Sequence, residues 1–168
     1  MTRSLPDPGF AGDDGAADPG LAAALAAYDV APEAGGLPEV LAALQDARVL
    51  VPVVAVLGEV EYDEQGLAHD KTSDMAAVLM TGRDGRTALL AFTGSASLTR
   101  WDSAARPVPV TARQAAQAAL HDQASALLLD VAGPVMCVVE GDDLEALAAG
   151  HRMVPLDGGR WGWARPAG

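Results

Sequence analysis

Residues 76–101 read AAVLMTGRDGRTALLAFTGSASLTRW, and residues 126–149 read ALLLDVAGPVMCVVEGDDLEALAA. Each stretch is an apolar run, a glycine-bearing turn, a second apolar run, a glycine, and a polar residue that opens a helical stretch. Short apolar runs bounded by turn residues read as strands. The unit is therefore a β-hairpin followed by a helix, and the chain uses it twice. In the first unit Ala76–Thr81 and Thr87–Thr93 flank GRDGR, where Asp84-Gly85 supplies the positive φ of a tight hairpin turn. Gly94 and Ser95 end the strand and cap a helix that runs to about Trp101. In the second unit Ala126–Asp130 and Val135–Glu140 flank the turn Val131-Ala132-Gly133-Pro134. Gly141 and Asp142 open the last helix, Glu145 completes a capping-box spacing with Asp142, and Gly150 ends the helix.

Between the units, DSAARPVP (102–109) reads as a linker, and Thr111-x-x-Gln114 is a capping box heading the helix ARQAAQAALH. Upstream, Leu37-Pro38-Glu39 opens a helix, because proline is tolerated in the first turn and an early carboxylate suits the positive end of the dipole. VLVPVVAVL (49–57) is β-branched and apolar, so it reads as a buried strand. Its Pro52 cannot donate to a ladder and points to an edge or a bulge. EVEYDEQGLAHDKTSD (59–74) is polar and acidic, and reads as a long loop or an extended, partly paired excursion. The expected fold class is α/β (α+β). It has a mixed or mainly antiparallel sheet of about five strands, built from the two β-hairpin–helix units. Helices near 38–47, 112–121 and 142–149 cover one or both faces.

Three segments are expected. Residues 1–36 form an acidic, mostly disordered extension rich in Gly, Pro, Asp and Ala, with a short helical possibility at Leu21–Tyr28. Residues 37–150 form the α/β domain. Residues 151–168 form a tail of Arg, Trp and Gly.

A chain of 168 residues buries roughly 70% of its unfolded surface, so a real core needs no staple. Half of the residues are apolar but only 4% are aromatic, so Ala, Val and Leu must build that core. The formal net charge of −12 disfavours nucleic acid and anionic membrane surfaces, because no Lys/Arg cluster offsets it. The single cysteine, Cys137, excludes an internal disulfide and a multi-cysteine metal site; inside VMCVV it reads as a small buried hydrophobe. MTRSLPDPGF has no apolar stretch of a signal peptide, and Val49–Leu57 is far shorter than the ~20 residues that span a bilayer. A cytoplasmic protein is expected.

No nucleophile elbow, phosphate-binding loop, dinucleotide fingerprint or zincin motif occurs. His69, His121 and His151 lack metal-ligand spacing, so neither a metal nor a cofactor is expected. Asp70, Lys71, Thr72, Ser73 and Asp74 form a polar cluster that reads first as a solvated loop, with Lys71 and Asp74 as candidate binding residues because Lys71 is the only lysine. Phe92 and Trp101 read as packing residues. Arg160-Trp161-Gly162-Trp163 is the most interaction-like stretch: Arg and Trp dominate binding hot spots, and an extended strand puts both rings on one face. Either the tail adds to the chain's own sheet or docks on its own acidic body, or Arg160, Trp161 and Trp163 meet a partner.

Leu50-Val51-Pro52-Val53, Asp74-Met75, Asp84-Gly85-Arg86, Ala91-Phe92-Thr93, Leu98–Trp101 and Asp130-x-Ala132-Gly133-Pro134 occur in an order and spacing that resemble the SseB N-terminal domain family in its high-GC bacterial form, over about 38–150. The absence of Ile and Asn fits such a genome. The resemblance implies an α/β domain and supplies no catalytic residues. The leading functional expectation is a non-enzymatic cytoplasmic interaction or regulatory domain with an unidentified protein partner. The second is a small-molecule-binding domain with the ligand between the hairpin turns and loop 59–74. The third is an enzyme using Asp70, Lys71, Ser73 and Asp74. Oligomeric state is left open.

Overall fold

A computed structural model describes residues 10–34, 36–57, 60–62, 64, 66, 68–70 and 73–167. In chain order the elements are α1 (Pro19–Val30), α2 (Leu37–Leu44), β1 (Arg48–Leu57), β2 (Val60–Tyr62), β3 (Ala68–Asp70), β4 (Ser73–Ala77), β5 (Leu79–Thr81) and β6 (Thr87–Ala91). Then follow α3 (Ser95–Trp101), β7 (Arg106–Thr111), α4 (Ala112–His121), β8 (Ala126–Leu129), β9 (Cys137–Glu140), α5 (Gly141–Ala148), β10 (Arg152–Pro155) and β11 (Trp161–Ala164). The fold is α+β with mixed sheets.

Both hairpin–helix units form. β5 and β6 pair antiparallel around Gly85, whose φ of 82° is the left-handed value the turn requires. β8 and β9 pair antiparallel around a turn in which Gly133 has φ 93°. The units join through β6 and β8, which run parallel, giving the order β5-β6-β8-β9. A second sheet has the order β4-β1-β7. The two sheets meet where Leu50 and Phe92 exchange backbone hydrogen bonds of 2.7 and 2.8 Å. More strands therefore take part than the five or so expected. The run 73–81 supplies two of them, β4 to β1 and β5 to β6, with Val78 between.

Side-chain alternation across β6 and β8 sorts the core into two layers. Leu89, Ala91, Leu127 and Leu129 face the large cluster with α1, α2, α4 and α5. Leu90 and Phe92 face a small cluster with Leu50, Leu98 and Trp101, where the Phe92 and Trp101 rings lie 5.5 Å apart. The three helices expected as covers thus lie on one face, and the seven-residue α3 lies on the other.

Local signals held unevenly. The Thr111–Gln114 capping box forms, with reciprocal bonds of 3.1 and 2.9 Å. The box expected at Asp142–Glu145 does not: α5 starts at Gly141, and both Asp142 and Asp143 fall in its first turn, where they complement the dipole. Ser95 is the first helical residue of α3 rather than its cap. The linker expected at 102–109 contains a strand. Pro107 and Pro109 sit opposite Pro52 and Leu50. Leu50 bonds toward β6, so this parity leaves both β7 proline nitrogens on the far side, where no ladder donor is required. Pro52, expected at an edge or bulge, lies inside β1 at the point where its partner changes from Phe92 to β4.

The expected disordered extension is not featureless. Asp18 caps α1 by accepting the Leu21 N–H at 2.9 Å, and Leu21 and Leu25 are buried in the main core. Residues 59–74 include the paired strands β2 and β3, the extended alternative of the two expected.

Candidate functional site

Asp70, in β3, pairs with Val60, and Ser73, in β4, pairs with Leu57, while Thr72 lies outside the described residues. Of the five residues singled out as a candidate partner or ligand surface, Lys71 also lies outside the described residues. Asp74 sits in β4 opposite Val56. The other three lie together in the C-terminal hairpin. β10 and β11 pair antiparallel, with Met153 opposite Trp163 and Pro155 opposite Trp161. Both tryptophans pack half-buried against the main core, as strand alternation requires. Trp163 donates its indole N–H to Asp143 Oδ1 at 2.9 Å. Gln45 clamps the hairpin from α2: its Oε1 accepts the Met153 N–H at 2.7 Å and its Nε2 donates to the Met153 carbonyl at 3.2 Å. Arg160 is exposed and donates to the Asp157 carbonyl at 3.2 Å. Of the two readings of this tail, the structure has it docked on its own body.

The hairpin turns do not form one site. Because β6 and β8 are parallel, the turn before β6 and the turn after β8 lie at opposite ends of the sheet. The second sequence expectation put a ligand between the hairpin turns and loop 59–74; the two turns lie too far apart to share one ligand, and part of that loop lies outside the described residues.

Two other surfaces stand out. The first is the part of the β5-β6-β8-β9 sheet that α3 leaves uncovered. Cross-strand register puts Met80, Ala88, Ala126, Leu128 and Val138 on one face. They floor a cleft of about 440 Å3. Met80 is 36% exposed and Val138 39% exposed. Arg83, Asp84, Arg86 and Glu140 rim it. Arg86 bridges Asp84 at 2.7 Å and Glu140 at 3.2 Å. The Arg86 hydrogen bond holds the Asp84 carboxyl below its ordinary range. These groups are exposed, so the pairs orient the rim more than they stabilise the fold.

The second surface lies at the carboxyl ends of β6 and β8. Asp130, 1% exposed and at φ 49°, accepts the Thr93 N–H at 2.9 Å and the Thr93 hydroxyl at 2.7 Å. Residues 10–18 cross these ends as a strap. Ser95 donates its N–H to the Gly15 carbonyl at 2.7 Å. Arg48 holds Asp13 at 2.8 Å, the Ala16 carbonyl at 2.6 Å and the Thr93 carbonyl at 2.9 Å. Gly94 lets the backbones touch, since a Cβ there would stand 2.8 Å from Ala17 N and 2.9 Å from Gly15 O. A cleft of about 300 Å3 remains between strap, α1 and sheet.

Sequence reasoning missed both surfaces. The alternation in LLLDV and VMCVVE marks one face of the open sheet, but not which face lacks helices. Thr93 and Asp130 ended expected strands, and an aspartate after four apolar residues was the available signal for a buried acid. Among the described residues no His/Cys/Asp/Glu group could hold a metal ion, and no helix is long and apolar enough to cross a membrane.

No curated protein and no solved structure matches the chain significantly. The family model for the SseB protein N-terminal domain matches residues 21–146. That span begins earlier than the 38 expected from sequence, and α1 with its two buried leucines accounts for the difference. Well over half of the chain lies within the match, and the chain therefore belongs to the SseB protein N-terminal domain family.

Proposed function

We propose that this SseB-type domain is a non-enzymatic protein-interaction or regulatory module of the cytoplasm, and that partners dock on the open face of β5-β6-β8-β9. One observation carries the reading: an apolar floor with Met80 and Val138 each more than a third exposed, continuous with the core under α3. A sheet face of this kind ordinarily takes a helix, and contiguous apolar patches on soluble domains mark interaction sites. The partner that fits is an amphipathic helix with basic flanks, because the body carries a formal net charge of −12.

The test is retention of partner proteins by immobilised wild-type chain and by a Met80→Glu/Val138→Glu double variant. Both positions are exposed, so the variant keeps its fold. Burial of two such side chains contributes about 1.5–3 kcal/mol each, so partners on this face bind the variant at least a hundredfold more weakly. The same set of proteins retained by both baits overturns the reading.

A further inference from the structure

The cleft between the strap and the carboxyl ends of β6 and β8 is lined by Ala16, Ala22 and Ala26 on one side and by Ala96, Pro134 and Val135 on the other. Two observations converge on it. The first is shape: the strap, α1 and the ends of β6 and β8 enclose a concave space of about 300 Å3, the size at which small-molecule pockets begin. The second is chemistry. The walls are small and apolar, while the polar groups at the end of the cleft are committed to one another: Asp130 to Thr93, and the Ser97 hydroxyl to the Gly94 carbonyl at 3.0 Å. Arg48 is spent on the strap and on Thr93. Among the residues that line the cleft, none offers a free charge to a ligand.

An apolar cavity of about 150 Å3 holds one benzene ring. A cleft of about 300 Å3 therefore suits two fused rings or a branched aliphatic group of the same bulk. We propose that this cleft binds a small, neutral, apolar molecule of that size, with the strap seated on Gly94 as its lid. The open sheet face begins at the opposite end of β6, so the two readings stand or fall separately.

Indole is the probe. Titrated into the full-length chain, it is expected to give saturable amide shifts at Ala17, Ser97 and Val135. Ala22→Phe and Ala26→Phe put a ring into the cleft from exposed positions of α1. Each abolishes those shifts without lowering Tm. Gly94→Ala unseats the lid and speeds indole dissociation at least tenfold. Indole-3-acetate, the same ring with a charge, binds at least tenfold more weakly than indole. Absence of saturable shifts at these amides overturns the proposal. So do equal shifts in the two phenylalanine variants, shifts confined to the Met80–Val138 face, or tighter binding of the charged probe. Unchanged dissociation from Gly94→Ala removes the lid.

Discussion

Asp130 ties the ends of the two parallel strands together through Thr93, taking its backbone N–H on one carboxylate oxygen and its hydroxyl on the other. Both groups are buried. Asp130→Ala leaves two buried donors unpaired, each costing about 1–3 kcal/mol, and places alanine at a left-handed φ. Asp130→Asn keeps one acceptor and a residue type that tolerates that backbone. Urea unfolding is expected to show a loss of about 3 kcal/mol for the alanine variant and about half of that for the asparagine variant. An alanine variant as stable as wild type would remove Asp130 as the tie.

The C-terminal hairpin is part of the core rather than an appendage. Trp163→Phe keeps a ring against the core but loses the N–H bond to Asp143, a loss of about 1 kcal/mol. Trp163→Ala also vacates a half-buried site and costs about 2–3 kcal/mol. Deleting residues 151–168 removes Met153 and both indole rings and exposes the core they pack against, and is expected to lower Tm by more than either point variant. Thermal unfolding followed by circular dichroism ranks the three. A deletion that unfolds at the wild-type temperature would show the hairpin to be dispensable.

The hairpin–helix units were legible because their signals are local: Asp84-Gly85 needs one backbone conformation, and Thr111 finds Gln114 three residues on. What the sequence hid depends on distant partners. The Gly/Asp/Ala-rich strap looks unable to order itself, and its anchor is Arg48, 35 residues from Asp13. Pro107 and Pro109 look like strand breakers until the register sends both nitrogens away from β1. The open sheet face is a matter of which helices land on which side, and no periodicity within a strand encodes that. The alternation of Trp161 and Trp163 was readable, but not the surface that receives them.

Cys137 is buried in β9, and burial together with the nearby Asp130 charge pushes its thiol up to about 11. The thiolate is the reactive form. At pH 8 the folded chain is therefore expected to react with Ellman's reagent no faster than it unfolds, and unfolding in urea restores the rate of an ordinary thiol. Stoichiometric, rapid labelling of the native chain would contradict the burial.

Acid is expected to release the strap before it unfolds the domain. The Asp13 carboxyl is held below its ordinary range, first by the Gly15 N–H; desolvation opposes this, and the hydrogen bond and charge of Arg48 add to the lowering. A carboxyl depressed in the folded state stabilises at pH values where the unfolded group is ionised, above about pH 4. That stabilisation is lost as the pH falls through the depressed folded value, because the protonated group no longer attracts Arg48. The Ser95 amide, bonded to the Gly15 carbonyl, reports the strap directly. Its hydrogen-exchange protection is expected to hold from neutrality to about pH 5 and to fall below the carboxylate range, while core amides such as Leu89 and Leu127 stay protected. Asp13→Asn mimics the protonated state, so its Ser95 protection should be low at neutral pH and insensitive to acid. Equal acid sensitivity in the wild-type and Asp13→Asn chains would locate the titrating group elsewhere.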